Sequence, residues 1–242
     1  VLAAVDRDGT NLRVDPVPQM LAWPRVSPDG RRLALMRLEW RRTNPDIWVE
    51  DLERGARTRI TTTSDLDVLP VWSPDGRRLA HRSGKKNTPF ISVTAADGSG
   101  VPVRLACPRS PCEATDWSPD GANLIVNVGD GAGDVWLVPV SGDAPGRPLL
   151  ADRFTERDAR VSSDGRWIAY ASNESGAFEV SVRSLSGPPQ RVVVSSGGGD
   201  QPVWRRDGAE LFFVNPQGQL HAVSVRVQDG RLLPGAAVRL GV

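Results

Sequence analysis

One short turn recurs five times along this chain, and its spacing restricts the fold more than any other feature. It reads VSPDGRRLAL from Val26, WSPDGRRLAH from Trp72, WSPDGANLIV from Trp117, VSSDGRWIAY from Val161 and WRRDGAELFF from Trp204. Its aspartates, Asp29, Asp75, Asp120, Asp164 and Asp207, stand 46, 45, 44 and 43 residues apart, a regularity that marks a repeat architecture. In the first copy Pro28 supplies φ near −65°, Asp29 a short polar side chain and Gly30 a positive φ, the chemistry of a tight turn between two strands. Gly76, Gly121, Gly165 and Gly208 follow the aspartate in the same way.

After each turn comes a short apolar run, such as Leu33-Ala34-Leu35 or Leu124-Ile125-Val126, the pattern of a buried strand. A third strand follows, as DIWVEDL from Asp46, FISVTAA from Phe90, DVWLVPV from Asp134, EVSVRSL from Glu179 and QLHAVSV from Gln219. A weaker fourth, such as TRIT from Thr58, completes the unit, and no helical period appears. Four antiparallel strands per repeat make one β-propeller blade. A lone blade cannot bury both its faces, so copies must stack around an axis. The expected fold is all-β, a single propeller domain over 1–242 with repeats at about 20–62, 66–106, 113–151, 157–195 and 200–242.

Trp72, Trp117 and Trp204 stand just before the turn, with Val26 and Val161 in the same place, and Trp48 and Trp136 recur on the third strand. Such large side chains are expected to pack neighbouring blades together. VLAAVDRDGT aligns with FISVTAADGS, so residues 1–16 are read as the outer two strands of an incomplete sixth blade. Its inner strands are expected beyond Val242, leaving an exposed edge.

Thirty basic and twenty-nine acidic residues among 242 leave a net charge of +1, which disfavours a generic nucleic-acid binder. No run approaches the length of a membrane span, so no direct membrane insertion is expected. The start at Val1, without a signal-peptide pattern, reads as an excised part of a longer protein. Cys107 and Cys112, in ACPRSPCEA, fit either a small loop-closing disulfide in an oxidising compartment or two reduced thiols; zinc is disfavoured because neither His81 nor His221 stands at ligand spacing. The nucleophile elbow, zinc-protease, Walker, dinucleotide and kinase signatures are all missing, so no catalytic residue, cofactor or metal is assigned. SGKK from Ser83 lacks the upstream glycine of a phosphate loop, and Gly197-Gly198-Gly199 reads as a flexible connection.

Two candidate binding features stand out. Asp67, Glu113, Glu156 and Asp200 lie four or five residues ahead of the inner-strand anchor in four successive repeats. If equivalent, they would ring one mouth of the channel and attract a cation or a basic segment. The second is EWRRTNPD, whose Trp40, Arg41 and Arg42 have the composition of a protein-contact hot spot.

The repeated WSPDGRRLA followed by DIWVEDLERG and TRIT resembles the TolB-like, WD-type bacterial propeller repeat over essentially the whole chain. The stretch from Ala159 onward, together with VDRDGT from Val5, is similar to the extracytoplasmic C-terminal propeller of bacterial serine/threonine protein kinases. The resemblance implies a monomeric, extracytoplasmic module without catalysis that takes a protein, a peptide or a small ligand at a propeller face. The competing expectation is the gating propeller of a prolyl-oligopeptidase-like serine peptidase, with the hydrolase elsewhere. A metal-dependent propeller lyase would need clustered histidines, which the sequence lacks.

Overall fold

The computed structural model describes residues 3–5, 7, 11–14, 20–39, 43–85, 87–129, 133–142 and 144–241. These form strands and turns, with no helix among them. Strands β1 (Ala3–Val5) and β2 (Asn11–Val14) pair alone. Five four-stranded sheets follow, in each of which the strands lie side by side in chain order. The first comprises β3 (Met20–Val26), β4 (Arg32–Leu38), β5 (Asp46–Asp51) and β6 (Arg57–Arg59). The second comprises β7 (Val68–Trp72), β8 (Arg78–Lys85), β9 (Thr88–Ala95) and β10 (Val103–Leu105). In the third are β11 (Cys112–Trp117), β12 (Asn123–Val128), β13 (Asp134–Pro139) and β14 (Arg147–Leu150). The fourth has β15 (Glu156–Val161), β16 (Trp167–Ser172), β17 (Glu179–Ser184) and β18 (Arg191–Val193). The fifth ends the series with β19 (Asp200–Trp204), β20 (Glu210–Val214), β21 (Leu220–Gln228) and β22 (Arg231–Arg239).

The turn motif builds itself locally. Ser27 Oγ donates to Asp29 at 2.5 Å, the Arg31 N–H donates to the same carboxylate at 3.0 Å, and the Arg32 N–H donates to Ser27 Oγ at 2.9 Å. Gly30, at φ 77°, closes the turn with its N–H on the Ser27 carbonyl. The Ser27 hydroxyl, then the Arg31 amide, hold the Asp29 carboxyl below its ordinary value. Ser73 with Asp75, Ser118 with Asp120 and Ser162 with Asp164 repeat the arrangement. In the fifth copy Arg205 replaces the serine and grips Asp207 with two 2.7 Å hydrogen bonds, drawing that carboxyl down to about 2.

The chain divides into two compact units, one mainly 15–130 with 136–148, the other 3–14 with 131–135 and 149–242. In the first unit, Ile47 and Val49 of one sheet pack with Trp72 and Leu79 of the next. Val71, Ile91 and Val93 pack in turn with Trp117, Leu124 and Val126. In the second unit, Trp167, Val180 and Val182 pack with Leu211, Phe213 and Val223. Each such interface is fastened by an indole. Trp72 Nε1 donates to the Arg25 carbonyl at 2.8 Å, Trp117 Nε1 to Val71 at 3.1 Å and Trp204 Nε1 to Arg160 at 3.1 Å. Trp48 and Trp136 are only half-buried, and their indole nitrogens have no hydrogen-bond partner. In the second unit the β1–β2 hairpin is tied to the fifth sheet. Arg7 pairs with Glu210 at 2.9 Å, and the Gly241 N–H donates to the Arg7 carbonyl at 3.3 Å.

The first strand of every sheet also slips register part-way along, leaving an extra residue against its partner. In four of the five the slip carries a residue other than glycine at positive φ: Trp23 at 53°, Leu69 at 59°, Asp158 at 54° and Gln201 at 52°. The backbone is therefore strained at one recurrent position on the innermost strand.

If the indole hydrogen bond helps hold the sheets together, Trp117→Phe should lower unfolding free energy by about 1 kcal/mol beyond the loss in Trp136→Phe, whose indole makes no such bond. Urea titration of both variants measures the difference, and equal losses would remove the bond from the account.

Candidate functional site

The four candidate acids do not occupy one repeat position. Counted back from the strand-end anchors Trp72, Trp117, Val161 and Trp204, Asp67 and Glu156 stand five residues away and Glu113 and Asp200 four. The register confirms the count. Glu113 pairs with Asn127 and Asp200 with Val214, each three residues beyond the anchor's own partner. Glu156, one step earlier, pairs with Ser172. Successive residues of a strand face opposite ways, so the set separates into two buried acids, Asp67 and Glu156, and two half-buried ones, Glu113 and Asp200.

Each acid meets different company. Asp67 is buried, with His81 Nδ1 3.4 Å from its Oδ1 and the Thr63 hydroxyl donating to its Oδ2 at 3.2 Å. Burial pushes the Asp67 carboxyl up, but His81, Ser83 and Thr61 outweigh it and hold it below the ordinary range. His81, on β8, is thus the buried partner of an acid just ahead of β7. Glu113 is bound by Arg82 at 2.8 Å. Glu156 is buried, and its Oε2 has no hydrogen-bond partner. Burial, then Asp152 and Asp134, push its carboxyl up to about 7. Asp200 is held by the Arg157 guanidinium through two hydrogen bonds. Trp40, Arg41 and Arg42 lie outside the described residues.

Around Asp200 the second unit forms a cleft of about 390 Å³, lined chiefly by Arg157, Phe178, Gly198, Asp200, Gln201 and Pro216. The Arg157 guanidinium lies 3.7 Å above the Phe178 ring while it grips Asp200. Asp158, at the strained bulge beside it, is pushed above the ordinary carboxylate value by burial and then by the Asp200 charge. The glycine run is not a slack connection. The Gly198 N–H donates to Glu179 at 2.9 Å, and the Gly199 N–H donates to the Phe178 carbonyl at 2.8 Å. Gly198 sits at φ 103°, where a β-carbon would run into the Pro216 ring, so this wall admits only glycine. Neither Phe178 nor Asp158 was singled out from the sequence, because their relation to Asp200 crosses from one repeat to the next.

Cys107 and Cys112 are joined, with Cα atoms 5.6 Å apart, and Cys112 is buried among Val126 and Val128. Among the described residues no group of three or more His, Cys, Asp and Glu is placed to hold a metal ion.

The Glu156 environment makes a signed pH prediction. Its folded value, about 7, lies above its ordinary 4.5, so the native state holds the proton more tightly between those limits. That stability is complete below 4.5, declines as pH rises through 7 and is absent above. Glu156→Gln should therefore melt higher relative to the parent at pH 8 than at pH 5. A difference in melting temperature that does not change with pH would contradict it.

The family model described as the TolB beta propeller domain matches residues 1–236. The uncharacterized peptidase YuxL of Bacillus subtilis (strain 168) is 27% identical over 202 residues, covering 78% of this chain and 28% of YuxL. The crystal structure of TolB from Acinetobacter baumannii matches with a TM-score of 0.75 at 22% identity, covering 96% of this chain and 60% of that one. Putative TolB from Agrobacterium tumefaciens matches at 0.72 and 18% identity, over 93% and 84% of the two chains. The chain thus spans less than two thirds of YuxL and of the Acinetobacter TolB. Five four-stranded antiparallel sheets with this strand order are propeller blades, and the chain belongs to the TolB β-propeller domain family.

Proposed function

We propose that this chain is a recognition module without catalysis, holding a protein or peptide partner at a propeller face on the outer side of a bacterial cytoplasmic membrane. The observation that carries the reading is the cleft around Arg157 and Asp200. Phe178 and Pro216 give it an apolar lining; its one carboxylate, Asp200, is held by Arg157; and its lining includes no Ser, Thr, Cys, His or Lys to act as nucleophile or base. Such a surface orients an extended segment and does no covalent chemistry on it. The finer form, a sensor domain of a receptor-like serine/threonine kinase, is supported by the stretch from Ala159 onward. Similarity to YuxL over 78% of the chain supports a second reading, the gating propeller of a serine peptidase. The full reading frame separates the two: a kinase domain and an apolar helix upstream, or an α/β-hydrolase downstream.

A photo-crosslinking residue placed at exposed Ala177, on the cleft rim, should capture a polypeptide from envelope extract. The same residue at Val238, exposed on β22 and outside the cleft lining, should not, and Phe178→Ala should reduce capture at Ala177 at least fivefold. Equal labelling from both positions would place recognition elsewhere.

The Cys107–Cys112 bond supports the extracytoplasmic assignment, since such bridges persist in oxidising compartments. Closing so short a loop stabilises by about 2 kcal/mol, so reduction should lower the melting temperature by about 4–8 °C. An unchanged melting temperature after complete reduction would remove that support.

A further inference from the structure

The internal repeat reveals a second site at the opposite end of the fourth and fifth blades, beside the Ser162–Gly165 and Arg205–Gly208 turns. In the first two interfaces of the other unit this place is filled by an arginine. Arg32 lies 4.8 Å over the Trp72 ring and donates to the Gly76 carbonyl at 2.7 Å. Arg78 lies 4.9 Å over Trp117 and donates to the Gly121 carbonyl at 3.3 Å. The arginine begins the second strand of one blade, and the tryptophan and the turn glycine belong to the next.

Between the fourth and fifth blades the tryptophan and the glycine are retained as Trp204 and Gly208, but the arginine position is Trp167. The Trp167 indole nitrogen has no hydrogen-bond partner, so it does not take over the bond to the glycine carbonyl. Where the Arg32 guanidinium comes within 3.1 Å of a β-carbon built at Gly76, the nearest group at Gly208 is the Ser163 hydroxyl, at 3.9 Å. What remains is a cavity of about 250 Å³ lined by Trp167, Trp204, Asp164, Asp207, Gly208 and Val227, among others, with no basic residue in its lining. Asp164 gives it an acidic wall, Asp207 adds a carboxylate that Arg205 already holds, and the two indoles give it an aromatic one.

We infer that this cavity receives an arginine side chain from a partner polypeptide, which stacks on Trp204 as Arg32 and Arg78 stack on their tryptophans. A planar guanidinium suits the site better than an ammonium, because it combines stacking on an indole with several in-plane donors for a carbonyl and the carboxylates. The site is separate from the cleft, so its partner need not be the one held there.

The probe is the peptide acetyl-Ala-Arg-Ala-amide, followed by intrinsic tryptophan fluorescence, with the Lys and Gln peptides in parallel. The Arg peptide should give a saturable change with a millimolar Kd, at least fivefold weaker for Lys and undetectable for Gln. Trp167→Arg, which restores the arginine of the other interfaces, should weaken the Arg peptide at least tenfold. Ser163→Arg provides the same test from an exposed turn position, where the fifth repeat already carries Arg206, so it holds even if Trp167→Arg fails to fold. Equal response to Lys or Gln, or undiminished binding in Ser163→Arg, would overturn the assignment.

Discussion

A four-stranded sheet that is apolar on both faces has no stable existence alone, and the indole reaching from one blade to the backbone of the blade before it is where this chain resolves the problem. Trp72 and Trp117 bury a large ring at the seam, Trp204 half-buries one, and each satisfies its polar nitrogen on a neighbouring carbonyl. Because the contact recurs at one position of the repeat, the same few side chains set blade spacing each time. The third and fourth repeats depart from this pattern in sequence, with Asn123 at the arginine position and Val161 at the tryptophan position.

With the blade faces committed to packing, recognition is left to the strand ends, and both candidate sites lie there. They differ in electrostatic character. The cleft near Arg157 has its charge internally balanced by Asp200, while Asp158 is held in a strained, partly desolvated position. The cavity near Trp204 has no cation among its lining residues; of its two carboxylates, Asp207 is paired with Arg205 and Asp164 accepts from the Ser162 hydroxyl. One end of the blades therefore offers an apolar groove with a fixed dipole, and the other an acidic, aromatic socket.

What was readable from the sequence was whatever a few consecutive residues decide. The Ser-Pro-Asp-Gly turns, the strands after them and the seam tryptophans belong to that class, because a turn's hydrogen bonds and a strand's alternation are local. The acids were not readable to the same depth. Asp67 and Glu113 differ by one place relative to their anchors, and in a strand one place exchanges the two faces. The pairing of His81 with Asp67 was not readable because Asp67 sits just ahead of the neighbouring strand, nor the role of Phe178, because it meets Arg157 only through folding. Gly197-Gly198-Gly199 looked slack in composition, yet Glu179 and Pro216 fix it in space. Placing Arg32, Arg78 and Trp167 in one column would have exposed the missing guanidinium before any coordinates.

The hairpin tips satisfy their own polar groups: the aspartate accepts from its own turn, and the glycine closes on the residue that opened it. The side-chain part of that bonding stays within the tip, while the carbonyl after the glycine accepts from the end of the third strand, and Gly76 and Gly121 accept from Arg32 and Arg78 of the blade before. The fifth tip shows the result, since an arginine has taken the serine's place while the backbone path is kept. Such caps behave as interchangeable parts, open to drift in charge and size without disturbing the layers below. Over evolutionary time the rim of this molecule is free to acquire new specificities far faster than its interior can change.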